Sequence, residues 1–177
     1  MASNISRDWF LDMALQGKMF HAASAGAVTL STVSTTCTGL SLSNSYGSKK
    51  LLVIKQVNFV PSTAPAGAAP VFIAIHTAVS PTETTHTTPM VIHNALAKGN
   101  VSGSAVGKAD ASSTLASTPL YLRPLGSVVA ASSISPANYT DYTDGTIIVV
   151  PGGALSLSYL TTAAVGIASI TWVEIDE

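Results

Sequence analysis

The feature that most constrains the fold is the alternation of apolar and hydroxyl-bearing residues in short segments. Residues 27–33, 38–43 and 154–160 read AVTLSTV, TGLSLS and ALSLSYL. A period of two residues places apolar side chains on one face of an extended chain, which is the pattern of a half-buried β-strand. Residues 61–70 and 151–153, rich in Pro and Gly, separate such segments as loops or turns. The pattern predicts an all-β domain.

Further segments bring the expected number of strands to between eight and ten. They are 51–60, 71–79, 90–95, 120–123, 127–130, 145–150 and 166–175. Residues 81–89 are expected to be an exposed loop. There is no βαβ rhythm and no internal repeat. We therefore expect an antiparallel two-sheet sandwich of the jelly-roll kind. An immunoglobulin-like sandwich is the alternative, but the Cys…Trp…Cys spacing is missing.

The first 22 residues differ from the sandwich expected over residues 23–177 and predict a helical arm. Asn4 or Ser6 is expected to cap a helix, with Asp8 in its first turn and Gly17 at its end. Such a helix is apolar nearly all round and needs cover on more than one side. Either the domain's own core or a neighbouring subunit supplies that cover. The candidate interface residues are Trp9, Phe10, Met13 and Phe20.

Low charge excludes several functional classes. Charged residues make up 10% of the 177, against about 25% in typical soluble proteins, and the net charge is −1. Binding of nucleic acid by a basic surface is therefore not expected. No apolar run is long enough for a membrane-spanning helix, and mean hydropathy of +0.42 argues against disorder. With so few charges, solubility must come from hydroxyl groups or from apolar surface that is covered. Ala, Ser and Thr together fill 68 positions.

Histidine and cysteine offer little chemistry. Cys37 stands alone, which excludes a disulfide within the chain, and we expect it to be a small buried residue. The four histidines form no HxH or HExxH pair, so no metal or other cofactor is expected. If a metal site exists, a hairpin would have to bring His76, His86 and His93 together, with Glu83 as the carboxylate nearby in sequence. A cupin-type metalloenzyme would need such a cluster.

No catalytic pattern points to an enzyme. Serines are abundant, but the G-x-S-x-G elbow is missing. Asp141 and Asp144 are the one close pair of acids within the domain, and a calcium loop needs more ligands. Asp144-Gly145 is expected to be a turn that leads into a strand. The N-terminus lacks the pattern of a secretory signal, so synthesis and assembly in a cytoplasm are expected.

Three segments resemble one group of viral proteins. They are the segment 120–130, LYLRPLGSVVA, the hairpin 142–153, YTDGTIIVVPGG, and the closing strand 166–175, GIASITWVEI. Together with the arm over residues 9–21, they resemble jelly-roll proteins that decorate or cement the capsids of tailed bacteriophages. The resemblance implies a homotrimer on the surface of the virion, bound to the major capsid protein, without catalytic residues.

A receptor- or glycan-binding module of a phage tail or fibre is the alternative function. Aromatic rings beside carboxylates can stack on a sugar and accept its hydroxyl protons. The candidate ligand contacts are Tyr139, Asp141, Tyr142 and Asp144. Trp172 is the other ring considered, but its alternation with Ile170 favours a place in the core or in a subunit contact.

Overall fold

In the computed structural model, which describes residues 8–76, 81–82, 84–96, 105–129 and 138–177, these residues form two antiparallel sheets and a short helix. The elements in chain order are α1 (Trp9–Leu15), β1 (Met19–Ala23), β2 (Val28–Thr29), β3 (Thr36–Ser43), β4 (Lys50–Thr63), β5 (Ala69–His76), β6 (Thr85–Pro89), β7 (Ile92–Asn94), β8 (Lys108–Thr114), β9 (Leu120–Val128), β10 (Tyr139–Val149), β11 (Ala154–Tyr159) and β12 (Val165–Asp176).

The two sheets pack as a sandwich with nested strand pairing. The first sheet has the order β10-β4-β12-β1-β7 with β2 beside β12, and the second has the order β6-β8-β3-β11-β5-β9. Strands β1 and β12 pair, and inside them β3 pairs with β11, β4 with β10 and β5 with β9. This nesting is the double Greek key of a jelly roll. The predicted sandwich is confirmed.

The core lies between the sheets and follows the alternation of the strands. On β12, Ala168, Ile170 and Trp172 are buried in the core, while Ser169 and Thr171 lie on the opposite face. Trp172 is fully buried in the core, which is one of the two places that its alternation favoured, and its ring stacks on Phe20 with centroids 5.9 Å apart. Burial of large side chains supplies the main stabilisation.

Three predicted segments differ from the observed strands. The strand expected over residues 27–33 is only the two residues of β2. The exposed loop expected at 81–89 contains the edge strand β6, which is exposed throughout but hydrogen-bonded to β8. The strands expected at 120–123 and 127–130 are one strand, β9. Pro124 lies within it, which an edge position permits because no neighbour on the far side needs its N–H.

The arm is a shorter helix than expected. Asp8 is the N-cap rather than a first-turn residue, since its carboxylate accepts a hydrogen bond from Phe10 N at 2.9 Å. The proposed caps Asn4 and Ser6 lie outside the described residues. Gly17 ends the helix as predicted, with φ of 74°. The bonds Gly17 N to Ala14 O and Lys18 N to Met13 O complete a Schellman motif. From Met19 the chain is already a strand of the sandwich.

Candidate functional site

The helix α1 lies on the outer face of the first sheet and buries one side of itself there. Phe10 is buried and packs with Met19, Val53 and Val173. Val53 and Val173 each follow a residue that faces the main core, so they point to the opposite face of the sheet. A second, smaller core therefore holds the arm on its own chain.

The side of α1 that faces away from the sheet carries three exposed apolar residues. Trp9, Leu11 and Leu15 are 43%, 51% and 54% exposed. The helix that the sequence predicts to be apolar nearly all round is thus covered on one side by its own sheet. At about 100° per residue, Leu11 and Leu15 lie side by side, whereas Trp9 lies at least about 120° away round the helix, with Asp12 and Gln16 between them. Exposed large apolar side chains of this kind mark an interaction surface. We call Trp9, Leu11 and Leu15 the open face of the arm.

A groove of about 570 Å³ adjoins the start of the arm. It is lined by Asp8, Trp9, Phe10, Lys55, Tyr142, Asp144 and Gly145. Lys55 links its two sides, because its Nζ lies 4.2 Å from the centre of the Phe10 ring and 3.4 Å from Asp144 Oδ1. The groove therefore combines aromatic rings with charges of both signs.

A bulge in β10 brings Tyr142 and Asp144 to this groove. The pairing of β10 with β4 shifts between Tyr142 and Ile147, and Asp144 and Gly145 there have φ of 43° and 84°. Glycine and aspartate are among the residues that tolerate this left-handed region. Tyr142 is 65% exposed. The expected turn at Asp144-Gly145 is therefore a bulge inside a continuous strand.

The four residues predicted as ligand contacts divide between two parts of the surface. Tyr139 and Asp141 contact β9: the Tyr139 hydroxyl donates to a backbone carbonyl of β9 at 2.8 Å. Arg123 Nε and an Nη donate to the two oxygens of Asp141 at 2.6 and 2.9 Å. These contacts join the edges of the two sheets. Tyr142 and Asp144 alone of the four line the groove at the arm.

The four arm residues predicted as interface residues also separate. Phe20 is buried in the main core, because β1 follows strand alternation and not a helical period. Phe10 is buried on its own sheet, and Met13 packs partly buried beside it. Trp9 presents a ring to solvent, with its centroid 4.8 Å from that of Phe10. Of the four predicted interface residues, Trp9 is the one whose side chain is exposed.

The three histidines named as candidates in case a metal site exists lie on strands that are not neighbours. His76 and His86 lie on β5 and β6, which β11, β3 and β8 separate, and His93 lies on β7 in the other sheet. The hairpin that would bring them together does not form. His93 instead lies directly opposite His21. Within the described ranges, no group of three or more His, Cys, Asp and Glu residues is placed to hold a metal ion.

His86 forms a pair with a carboxylate that the sequence analysis missed. Its Nδ1 lies 2.7 Å from Asp110 Oδ2, beside a pocket of about 510 Å³. Burial raises the pKa of Asp110, and the hydrogen bond from His86 partly offsets that rise. The pair anchors the edge strand β6 on β8. Asp110 is distant in sequence, and Glu83, the carboxylate considered there, lies outside the described residues.

His76 contacts a serine at the end of β5. Its Nε2 is hydrogen-bonded to Ser117 Oγ at 2.5 Å, and its buried Nδ1 has no partner among the described residues. Burial lowers the pKa of His76. The contact joins the end of β5 to the segment that precedes β9.

Cys37 is buried, as predicted, and packs with Leu115 and Ala154. Burial raises the pKa of its thiol to about 11. A neutral, enclosed thiol is a poor nucleophile. Cys37 therefore acts as a packing residue.

Comparisons with known proteins add no relative to this picture. No protein-family model matches the chain, and neither the curated proteins nor the solved structures contain a match.

Across the described part of the chain, no helix has both the length and the apolar character needed to cross a bilayer.

Proposed function

We propose that this protein is a structural subunit of a bacteriophage virion, a homotrimeric decoration or cement protein bound to the major capsid protein on the head surface. Its role is mechanical and involves no catalysis. The resemblance of residues 120–130, 142–153 and 166–175 to such proteins supports the proposal. A rigid jelly roll also suits repeated binding to a protein shell.

The observation that carries the proposal is the open face of the arm. Trp9, Leu11 and Leu15 expose apolar surface although the same helix has a buried anchor in Phe10. An isolated subunit gains nothing from this surface, whereas closed symmetry covers it with a copy of the same chain. We assign the open face to the contact between subunits.

The exposed strand β9 supplies a second apolar surface. Leu120, Tyr121 and Leu122 are exposed at the edge of the second sheet. Edge strands of soluble monomers are usually protected by charge, by proline or by cover, and β9 carries its charge and its proline, Arg123 and Pro124, only after the three exposed residues. We assign this edge to the contact with the capsid.

The test of subunit association replaces leucines of the open face. Light scattering after size exclusion should give three times the 18.0 kDa of one chain for the unchanged protein. The double variant Leu11→Ser, Leu15→Ser should fall to the mass of one chain while retaining its circular dichroism spectrum. The matched control Val91→Ser removes an equally exposed apolar side chain elsewhere and should leave the mass unchanged. A monomeric unchanged protein contradicts the proposal.

A truncation that tests the helix of the arm without removing core residues has to end before Met19. Removing residues 1–20 would also delete Met19 and Phe20, which belong to the two cores. Removing residues 1–17 takes away the arm helix alone. We expect a folded chain that no longer forms the trimer.

Capsid binding is tested by co-sedimentation with phage shells that lack this subunit. The unchanged protein should pellet with the shells at saturable stoichiometry. The variant Leu120→Ser, Leu122→Ser should bind at least tenfold more weakly while remaining trimeric. A protein that forms trimers but never pellets with shells contradicts the assignment to the head.

The groove at the arm favours a second candidate function, the binding of a glycan. Trp9 and Tyr142 are exposed rings beside Asp8 and Asp144, which is a set suited to stacking and hydrogen bonding with a sugar. The test is a glycan-array comparison of Trp9→Ala and Tyr142→Ala with the control Tyr46→Ala, another exposed tyrosine. Loss of a signal in the first two variants only would support this function. If the unchanged protein gives no signal on the array, the proposal of glycan binding is refuted.

A further inference from the structure

The outer face of the first sheet carries a polar row beyond the arm. The row crosses four neighbouring strands, and each of its members pairs with the next. The members are His93 on β7, His21 on β1, Thr171 on β12 and Gln56 on β4. The two histidines at one end of the row line a groove of about 380 Å³. This row has no part in the function proposed above.

The strand register places the two histidines side by side. His21 and His93 are directly opposite on neighbouring antiparallel strands, so their Cβ atoms are about 4.5–5.5 Å apart. Both side chains are exposed, since their neighbours Phe20, Ala22 and Ile92 face the core. The pair is therefore accessible from solvent on a rigid sheet.

A hydroxyl group orients one of the two rings. His21 Nδ1 is hydrogen-bonded to Thr171 Oγ1 at 2.9 Å. This contact occupies Nδ1, so Nε2 is the nitrogen with which His21 would bind a metal ion, and a fixed partner on the other nitrogen is the usual outer contact of a metal-binding histidine.

The composition of the groove favours ions that bind nitrogen ligands. The lining includes no carboxylate, and its side-chain oxygens are the neutral ones of Gln56, Asn58, Ser169 and Thr171, so the groove offers hard cations such as Ca²⁺ and Mg²⁺ no negative charge.

We propose that His21 and His93 form a two-histidine site for a borderline divalent transition metal ion of the Zn²⁺, Ni²⁺ and Cu²⁺ class. Imidazole nitrogens are the ligands that these ions share. Two coordination positions come from the chain, and water fills the others. The affinity should be modest because a closed structural zinc site has four protein ligands.

The test titrates the full chain with ZnCl₂ in competition with a chromophoric chelator. We expect one ion per chain. His21→Ala and His93→Ala should each weaken binding at least tenfold, because each removes one of two ligands. The matched control His86→Ala removes a histidine from another surface and should bind within twofold of the unchanged protein.

A second set of measurements separates this site from incidental histidine binding. Thr171→Val keeps the shape of the side chain without its hydroxyl and should weaken binding by about tenfold. Electron paramagnetic resonance of bound Cu²⁺ should show two coordinated nitrogens, and one in either alanine variant. The proposal is overturned if the unchanged protein binds no ion, or if His86→Ala loses as much affinity as the other two. It is also overturned if both alanine variants bind normally.

Discussion

At the scale of single residues, Glu174 shows how backbone and indole N–H groups hold a buried carboxylate. Its Oε1 accepts hydrogen bonds from the backbone N–H of Gly107 and Val106 at 2.8 and 2.9 Å and from the indole of Trp172 at 3.1 Å. Charge-assisted bonds of this kind offset the cost of taking a carboxylate from water. Glu174 thereby ties the segment before β8 to β12.

We expect Glu174→Gln to lower the free energy of unfolding by about 1–3 kcal/mol. The glutamine side chain lacks the charge that strengthens the hydrogen bonds of Glu174. Its NH₂ group would also have to face one of the N–H groups that now donate to the carboxylate. Urea unfolding followed by tryptophan fluorescence measures the change. Glu177→Gln, at the exposed end of the chain, is the control and should leave the midpoint unchanged. Equal midpoints for all three proteins would refute this role.

Cys37 makes a prediction about pH. Its thiol pKa rises from 9.0 to about 11 on folding, so the unfolded chain releases its proton at lower pH than the folded one. Stability that is complete below pH 9 is therefore lost between pH 9 and 11, by about 1.4 kcal/mol per pH unit at most. Comparing urea unfolding at pH 8 and pH 10 for the unchanged protein and Cys37→Ala isolates this contribution. The alanine variant should show a shallower pH dependence.

At the scale of elements, the edge strands β9 and β10 close one side of the sandwich. Arg123 on β9 holds Asp141 on β10 through both carboxylate oxygens. Beside this pair, Gly126 leaves room for the ring of Tyr139, since an added Cβ would overlap the ring atoms. Charge pairing and close packing together keep the two sheets in contact at an edge without ladder hydrogen bonds.

We expect a double-mutant cycle on Arg123→Met and Asp141→Asn to give a coupling energy of about 0.5–1 kcal/mol. The pair is bidentate but partly exposed, which limits the value. The same cycle on Lys50 and Asp176 serves as the comparison, and its coupling should be smaller because Asp176 is largely exposed. If the coupling energy of Arg123 and Asp141 does not exceed that of Lys50 and Asp176, the ion pair between β9 and β10 does not contribute to stability.

Local pattern identified some elements and missed others for a physical reason. Strand β12 was predictable because Ala168, Ile170 and Trp172 alternate with polar residues. Strand β1 was not, because its few residues directly follow a helical pattern and their alternation is too brief to stand apart. Strand β6 carries only exposed residues, so it has no apolar period at all; its pairing with β8 defines it.

At the scale of the whole molecule, the two ends of the chain meet in one sheet. Strand β1 lies between β12 and β7, and Phe20 and Ala22 contribute to the main core. The sandwich therefore closes only when the first and last strands have paired. Such distant pairing makes folding slow compared with helical proteins of similar size.

Two truncations should give different results for this reason. Removal of residues 1–17 uncovers Val53 and Val173 but leaves every strand intact, so the chain should remain folded with reduced stability. Removal of residues 1–23 deletes an interior strand and should abolish cooperative unfolding. Near-ultraviolet circular dichroism and thermal melting distinguish the two outcomes. A cooperative transition in the shorter chain would show that β1 is dispensable.

The sequence by itself determined the fold class, the burial of Trp172 and Cys37 and the end of the helix at Gly17. Each of these depends on local periodicity or on the conformational freedom of one residue. The tertiary structure alone decided that Phe20 belongs to the core and that Asp141 binds Arg123. It also decided that His21, not His76 or His86, lies beside His93. These relations depend on strand register, which is set by contacts between segments distant in sequence and leaves no trace in the spacing of the residues.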